Sequence, residues 1–234
     1  MKKIFPLIIV LLCINYCFAQ NTVEKKTRLT DFVTERYQTI IQTNKQIKQG
    51  TYNALYEKKI VIANGTYTNN KRTGTWHFFF PTGKLLQNYN YTTGQLLYEA
   101  PEDTTSTIRY MIDYPVTEKD TTMITKPIRL GGRYYGYVPY FRLFKLPADM
   151  QNTNTQQLGV IMELLVSPLG RLSDFKFHIR YYNDKEDLKL INVNTDLLSD
   201  EDKTFIPASR DRKLIASRIL VHCYITRLDG IDIY

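Results

Sequence analysis

Cysteine is nearly missing from this chain. Three occur in 234 residues, and two of them, Cys13 and Cys17, sit in the leading apolar segment. Cys223 is left alone, so no disulfide can form within the rest of the chain and the fold must stand on its core. Its apolar surroundings, Ile219-Leu220-Val221 and Tyr224-Ile225, suit a buried structural thiol. Histidine is as scarce: His77, His178 and His222 fall in separate stretches, with no ligand-spaced pair. Structural zinc needs several Cys and His at short spacings, so no metal is expected. Cofactors are not expected either, because no strand–glycine–helix unit frames Gly131-Gly132 as a phosphate loop. Ser173 and Ser217 have no evident base or oxyanion donor beside them. The acidic groups Glu186-Asp187 and Asp200-Glu201-Asp202 read as solvated helix starts. The chain is therefore read as non-enzymatic. A dense basic run is lacking too: 31 Lys and Arg against 23 Asp and Glu leave a net +8 spread along the sequence. Nucleic-acid binding asks for a concentrated basic stripe and is excluded. No run after residue 18 is apolar enough to span a membrane.

What is present starts with a leader. Lys2 and Lys3 precede a mostly apolar run over residues 4–18, and Cys17-Phe18-Ala19 places small residues at −3 and −1 before Gln20. This is the layout of a secretory signal peptide, and the run is too short for a membrane anchor. Cleavage near Ala19-Gln20 is expected to leave 215 residues of net charge +6 outside the cytoplasm, in the periplasm or secreted. Domain boundaries follow from texture: signal peptide 1–19, a β-hairpin region 20–98, a Thr- and charge-rich linker 99–125 expected to hold one short strand over Ile108 to Tyr114, and a C-terminal domain 126–234.

The hairpin region repeats itself. Gly50-Thr51-Tyr52 recurs as Gly65-Thr66-Tyr67, then as Gly74-Thr75-Trp76, followed by Pro81-Thr82-Gly83-Lys84. Short strands alternating with Asn, Gly and Thr turns predict serial antiparallel hairpins. Glycines are assigned to positive-φ turn positions. Tyr52, Tyr67, Trp76, Phe78, Phe80, Tyr89 and Tyr91 then give each strand a packing face. Because a single hairpin is marginal in water, successive ones must pair or stack. Residues 65–85 resemble a MORN-type repeat of the bacterial secreted kind, with its Gly-x-Tyr, Gly-x-Trp, aromatic strand and glycine turn. The resemblance implies a structural or interaction element, and in some members one that touches lipid. The aromatic strip thus also offers a surface for lipid or glycan.

The C-terminal part has another grammar. Gly131-Gly132 opens an aromatic segment, 133–150, expected to hold a helix interrupted by Pro139 and Pro147. A strand over 159–166 follows, with Val160, Met162, Leu164 and Val166 on one face, then the turn Ser167-Pro168-Leu169-Gly170. The returning strand, 171–182, places Phe175, Phe177 and Ile179 inward and Lys176, His178 and Arg180 outward. Residues 187–203 carry helical potential, and 213–225 form a closing strand. The predicted fold class is mostly β with an α+β element: serial hairpins, then a small α+β domain with a three-stranded antiparallel sheet. The order of Gly131-Gly132, the 159–170 strand and turn, Leu172-Ser173-Asp174-Phe175 and Phe205-Ile206-Pro207-Ala208 resembles the C-terminal domain of TonB. Leu146-Pro147-Ala148 stands where that family has Tyr-Pro, and Phe205 where it has Trp.

That resemblance implies a binding protein whose partner, an envelope protein or peptide segment, adds as a strand to an open sheet edge. If the edge is the last strand, the partner-binding set is Arg218, Leu220, His222 and Tyr224, with Lys176, His178 and Arg180 beside them. A free edge also admits a homodimer. The alternative is a membrane-anchored, TonB-like energy transducer for an outer-membrane transporter, with residues 4–18 uncleaved.

Overall fold

Two-residue hairpins order the first half of the chain. Thr43-Asn44 and Asn69-Asn70 hold positive φ at both positions, the turn geometry whose twist matches the flanking strands. Glu57-Lys58 does the same in the loop between them. In this computed structural model, residues 22–102, 106–112, 124–151 and 153–234 are described. The expected signal peptide, 1–19, and parts of the expected linker lie outside them. β1 (Val23–Arg28), β2 (Val33–Gln42), β3 (Lys45–Tyr56), β4 (Ile60–Thr68), β5 (Lys71–Phe79), β6 (Leu85–Asn90) and β7 (Gln95–Glu99) pair antiparallel in sequence order, a seven-stranded meander.

The repeated glycines do something other than expected. Gly83 (φ +87°) and Gly94 (φ +69°) do sit in turns. Gly65, however, is mid-strand, paired with Tyr52. A Cβ there would fall 2.2 Å from the Trp76 ring, so the missing side chain lets the indole lie flat on the backbone. Tyr52, Tyr67 and Trp76, the aromatic of each repeat, pack on one another at centroid distances of 5.1–5.4 Å. The first hairpin turns fall to Thr43-Asn44, Glu57-Lys58 and Asn69-Asn70, while Gly50 (φ +98°) and Gly74 (φ +64°) hold positive φ inside β3 and β5.

The second half is built on β11 (Leu158–Val166), β12 (Leu172–Tyr181) and β17 (Ser217–Ile225), paired in the antiparallel order β12-β11-β17. This is the predicted three-stranded sheet, with Val160, Met162, Leu164, Phe175, Phe177 and Ile179 buried on its inner face. Three further strands widen it to six: β13 (Lys189–Asn192) on β12, and β8 (Ile108–Ile112) and β18 (Ile231–Asp232) on β17. Small ladders join β10 (Ile128–Arg129) to β14 (Phe205–Ile206), and β9 (Ile124–Thr125) and β16 (Lys213–Ile215) to β15 (Ala208–Arg210).

Helix is scarce. Segment 133–150 holds the single turn α1 (Val138–Phe141), with Pro139 in its first turn, between 3-10 turns Tyr135–Tyr137 and Ala148–Met150. The helix expected over 187–203 does not form. That stretch supplies β13 and a 3-10 turn, Thr195–Leu197. Asn194 accepts from Asp196 N (2.9 Å) and Ser199 Oγ from Asp202 N (3.1 Å). Such local side-chain bonds compete with the helix ladder.

The two halves share one core. Trp76 and Phe78 of the meander belong to the same buried cluster as Tyr134, Tyr135, Met162 and Phe175. The joint is the fully buried side chain of Gln87. Its Oε1 accepts from Gly131 N (2.8 Å) and Gly132 N (3.1 Å); its Nε2 donates to Arg129 O (3.0 Å) and Glu99 Oε2 (2.7 Å). Gln87→Met keeps the volume but orphans all four partners. At roughly 1–3 kcal/mol per unsatisfied buried group, a loss of about 3 kcal/mol or more in urea unfolding is expected. Hydrogen exchange should show β4 and β12 amides losing protection together. Loss confined to the meander would mean that the halves hold themselves independently.

Candidate functional site

Strand alternation puts every second residue of β12, β11 and β17 on the outer face of the second sheet. Register then aligns them in rows: Asn192, Lys176, Glu163, Leu220 and Arg109 in one, Leu190, His178, Ile161 and His222 in the next. Arg180 and Tyr224 flank Gly159, and Arg218 flanks Leu165. Of the seven predicted residues, Lys176, His178, Arg180, Arg218, Leu220 and His222 are thus brought together. Tyr224 is drawn off the end of the row: its hydroxyl donates to the Tyr234 carbonyl at 2.6 Å, and Asp232 is its strand partner.

The charges on this face are tied to one another. Glu163 takes Arg218 Nη1 on one oxygen (3.1 Å) and His178 Nε2 on the other (2.8 Å), while His178 Nδ1 meets Asp187 at 2.7 Å. Lys176 pairs with Asp174 at 2.8 Å. Partial burial, then the guanidiniums of Arg180 and Arg109, push the His222 imidazole below its ordinary range and keep it neutral at pH 7. Sequence patterning could foresee the face, and Glu163 on it, but not that Glu163 pairs with both His178 and Arg218.

The edge expected on the last strand is not there. β17 is paired by β11 on one side and on the other by β8 (Ser217–Val221) and β18 (Tyr224, Ile225). The cause is β8, which comes from the segment read as linker and takes the place a partner would have used. The sheet ends instead at β13. Its outer edge is unpaired among the described residues, and Leu188, Leu190, Tyr181 and Tyr182 stand exposed around it.

No known protein family, curated protein or solved structure matches the chain. The resemblances to MORN repeats and to the TonB C-terminal domain therefore rest on the residues that carry them.

A second cluster had no signal in the sequence, because its members come from both halves. Glu35, Lys48, Tyr52, Tyr67, Arg72, Tyr135, Arg142 and Glu201 line a cleft of about 190 Å³. Lys48 Nζ sits 3.3 Å from Glu35 and 4.1 Å above the Tyr37 ring. Arg72 contacts Glu201 across the joint (3.4 Å), donates to Tyr91 (2.8 Å) and lies 4.8 Å over Trp76. At its base Tyr52 and Tyr135 share a hydroxyl contact of 2.7 Å, and burial pushes both phenols well up. With Lys48 and Arg72 each partnered, this cleft acts as a rivet between the halves. Among the described residues no group of three or more His, Cys, Asp or Glu is placed to hold a metal ion, and no helix is long and apolar enough to cross a membrane.

The Asp232 carboxyl, bonded by Tyr134 Oη (2.9 Å) and by the backbone N–H of Ile233 and Tyr234, is pushed up to about 6, chiefly by burial. The folded chain therefore holds a proton that the unfolded chain has released, and stability must fall as pH rises through 6. A two-unit shift corresponds to on the order of 2–3 kcal/mol between pH 4 and 7. Asp232→Asn should remove that slope. Parallel stability–pH curves for the two proteins would show that Asp232 is not the titrating group.

Proposed function

We propose that this is an extracytoplasmic, non-enzymatic interaction protein whose C-terminal sheet receives an extended segment of an envelope protein. The observation that supports it is the one-sided pairing of β13 at the border of the outer face. A strand added there gains backbone hydrogen bonds from the edge, and alternate side chains give choice. Leu190, about half exposed, and Leu188 invite apolar residues, and Lys176 and Arg180, both on the neighbouring strand β12, favour acidic ones. The site is thus shifted from 218–225 to β13, on the same face. In the first sheet, the border strand β1 carries Glu24, Lys25, Lys26 and Arg28, charges that guard an edge against pairing.

A six-residue peptide alternating valine and glutamate, titrated into the isotope-labelled chain, should shift the amides of residues 188–192 first. Leu190→Glu should weaken it by roughly tenfold or more, as expected for loss of one apolar contact plus like-charge repulsion. Shifts confined to β7, where Leu97 and Tyr98 are also exposed, would move the binding edge to the first sheet and sink the assignment.

The compartment is tested separately, by fractionating cells and weighing the intact protein. A soluble species beginning at Gln20 is expected. A full-length species held in the inner membrane would put TonB-like transduction first.

A further inference from the structure

A second cavity has a different character. About 310 Å³ opens between the β5–β6 turn, the start of β8 and the last residues of the chain. Its walls are Phe80, Leu86, Ile108, Ile233 and Tyr234, with Ser106 and Thr107 beside Ile108, Lys84 at an exposed rim and Arg133 on one side. Leu86, Ile108 and Ile233 are buried, and Phe80 and Tyr234 meet edge to face at 5.1 Å, so the walls are held by the core behind them. The volume lies at the small end of ligand pockets, which run from roughly 300 to 1,000 Å³.

The polar feature is Arg133. Its Nη2 donates to Pro101 O at 3.0 Å. Its Nη1 is buried from solvent and has no hydrogen-bond acceptor among the described residues. A buried donor on a charged group without an acceptor is unfavourable, more so than a neutral one. The neighbouring carboxylates are engaged elsewhere: Glu99 accepts from Gln87 (2.7 Å), and Glu102 from Lys126 and Ser106. No described residue offers Nη1 an acceptor, and the cavity that Arg133 lines is mostly apolar, with Ser106 and Thr107 as its other polar residues beside Lys84.

We infer that this cavity binds a small apolar carboxylate, with its carboxylate accepting from Arg133 Nη1 and its hydrocarbon body lying among Phe80, Leu86, Ile108 and Ile233. The charge-assisted bond gives orientation, the walls give the burial, and Lys84 adds a second positive charge at the mouth. The inference is independent of the β13 edge, which lies on another strand border.

The test uses the chain from Gln20 onward, with octanoate and octanol as probes. Octanoate should bind and shift the amides of Leu86, Ile108 and Ile233, and octanol should bind roughly tenfold more weakly or worse, as fits loss of one charge-assisted bond. Arg133→Gln should weaken octanoate about tenfold and leave octanol unchanged. Lys84→Glu, an exposed change with little leverage on folding, should weaken octanoate severalfold and only at low salt. Equal affinity for octanoate and octanol on the unaltered chain would overturn the inference, as would octanoate shifts confined to other residues. No binding of either probe at millimolar concentration overturns it as well.

Discussion

Everything in this molecule hangs on one side-chain amide. Gln87 makes four hydrogen bonds, the full capacity of its group, three of them to buried backbone groups and one to the half-buried Glu99 carboxylate. Two of them are consecutive backbone N–H groups, Gly131 and Gly132. Both have positive φ, and a Cβ on Gly132 would come 3.2 Å from that of Phe78. The chain can lie flat against the first sheet only without side chains, and only with its exposed donors answered from that sheet. Once it lies there, Tyr134 and Tyr135 are delivered into the aromatic cluster, and Arg129 is delivered to the other side of the strand. Arg129 then binds the carbonyls of Gly136 and Thr204 and the carboxylate of Asp202, which ties the 195–205 segment to the same joint.

The core is aromatic in a particular way. Eighteen of 234 residues are tyrosine, and the buried ones end in polar tips that must be satisfied. Tyr52 meets Tyr135, Tyr134 donates to Asp232, and Tyr140 donates to Asp202 O. Rings supply burial and hydroxyls supply direction. This is one way for sheets that no disulfide among the described residues ties together to specify how they meet, since each hydroxyl admits few partners. Lys48 and Arg72 extend the scheme by placing cations on ring faces, where they also find carboxylates.

On the outer face of the second sheet, ion pairs and neutral His222 leave a surface with texture but no strong field. The proposed recognition there draws chiefly on backbone groups at the border, with Lys176 and Arg180 adding a preference for acidic residues. That is why the unpaired side of β13 carries the functional reading and not the charged residues themselves.

Much of this was legible from one dimension. Period-two alternation identifies the inward Phe175, Phe177 and Ile179 and the outward Lys176, His178 and Arg180, because strand geometry is local and each residue declares its own face. The serial hairpins were legible too, since Asn-rich turns between short aromatic runs admit little else. What the sequence could not reveal is who sits next to whom. Nothing in residues 108–112 says that they will close the free side of β17, and nothing in 187–203 says that pairing with β12 will outweigh helical potential. Gly65 looks like a turn glycine until Trp76 is seen lying on it. Local pattern determined the faces and the hairpins; long-range pairing, which depends on backbone groups finding partners across a hundred residues, decided the edges, the joint and the cavities.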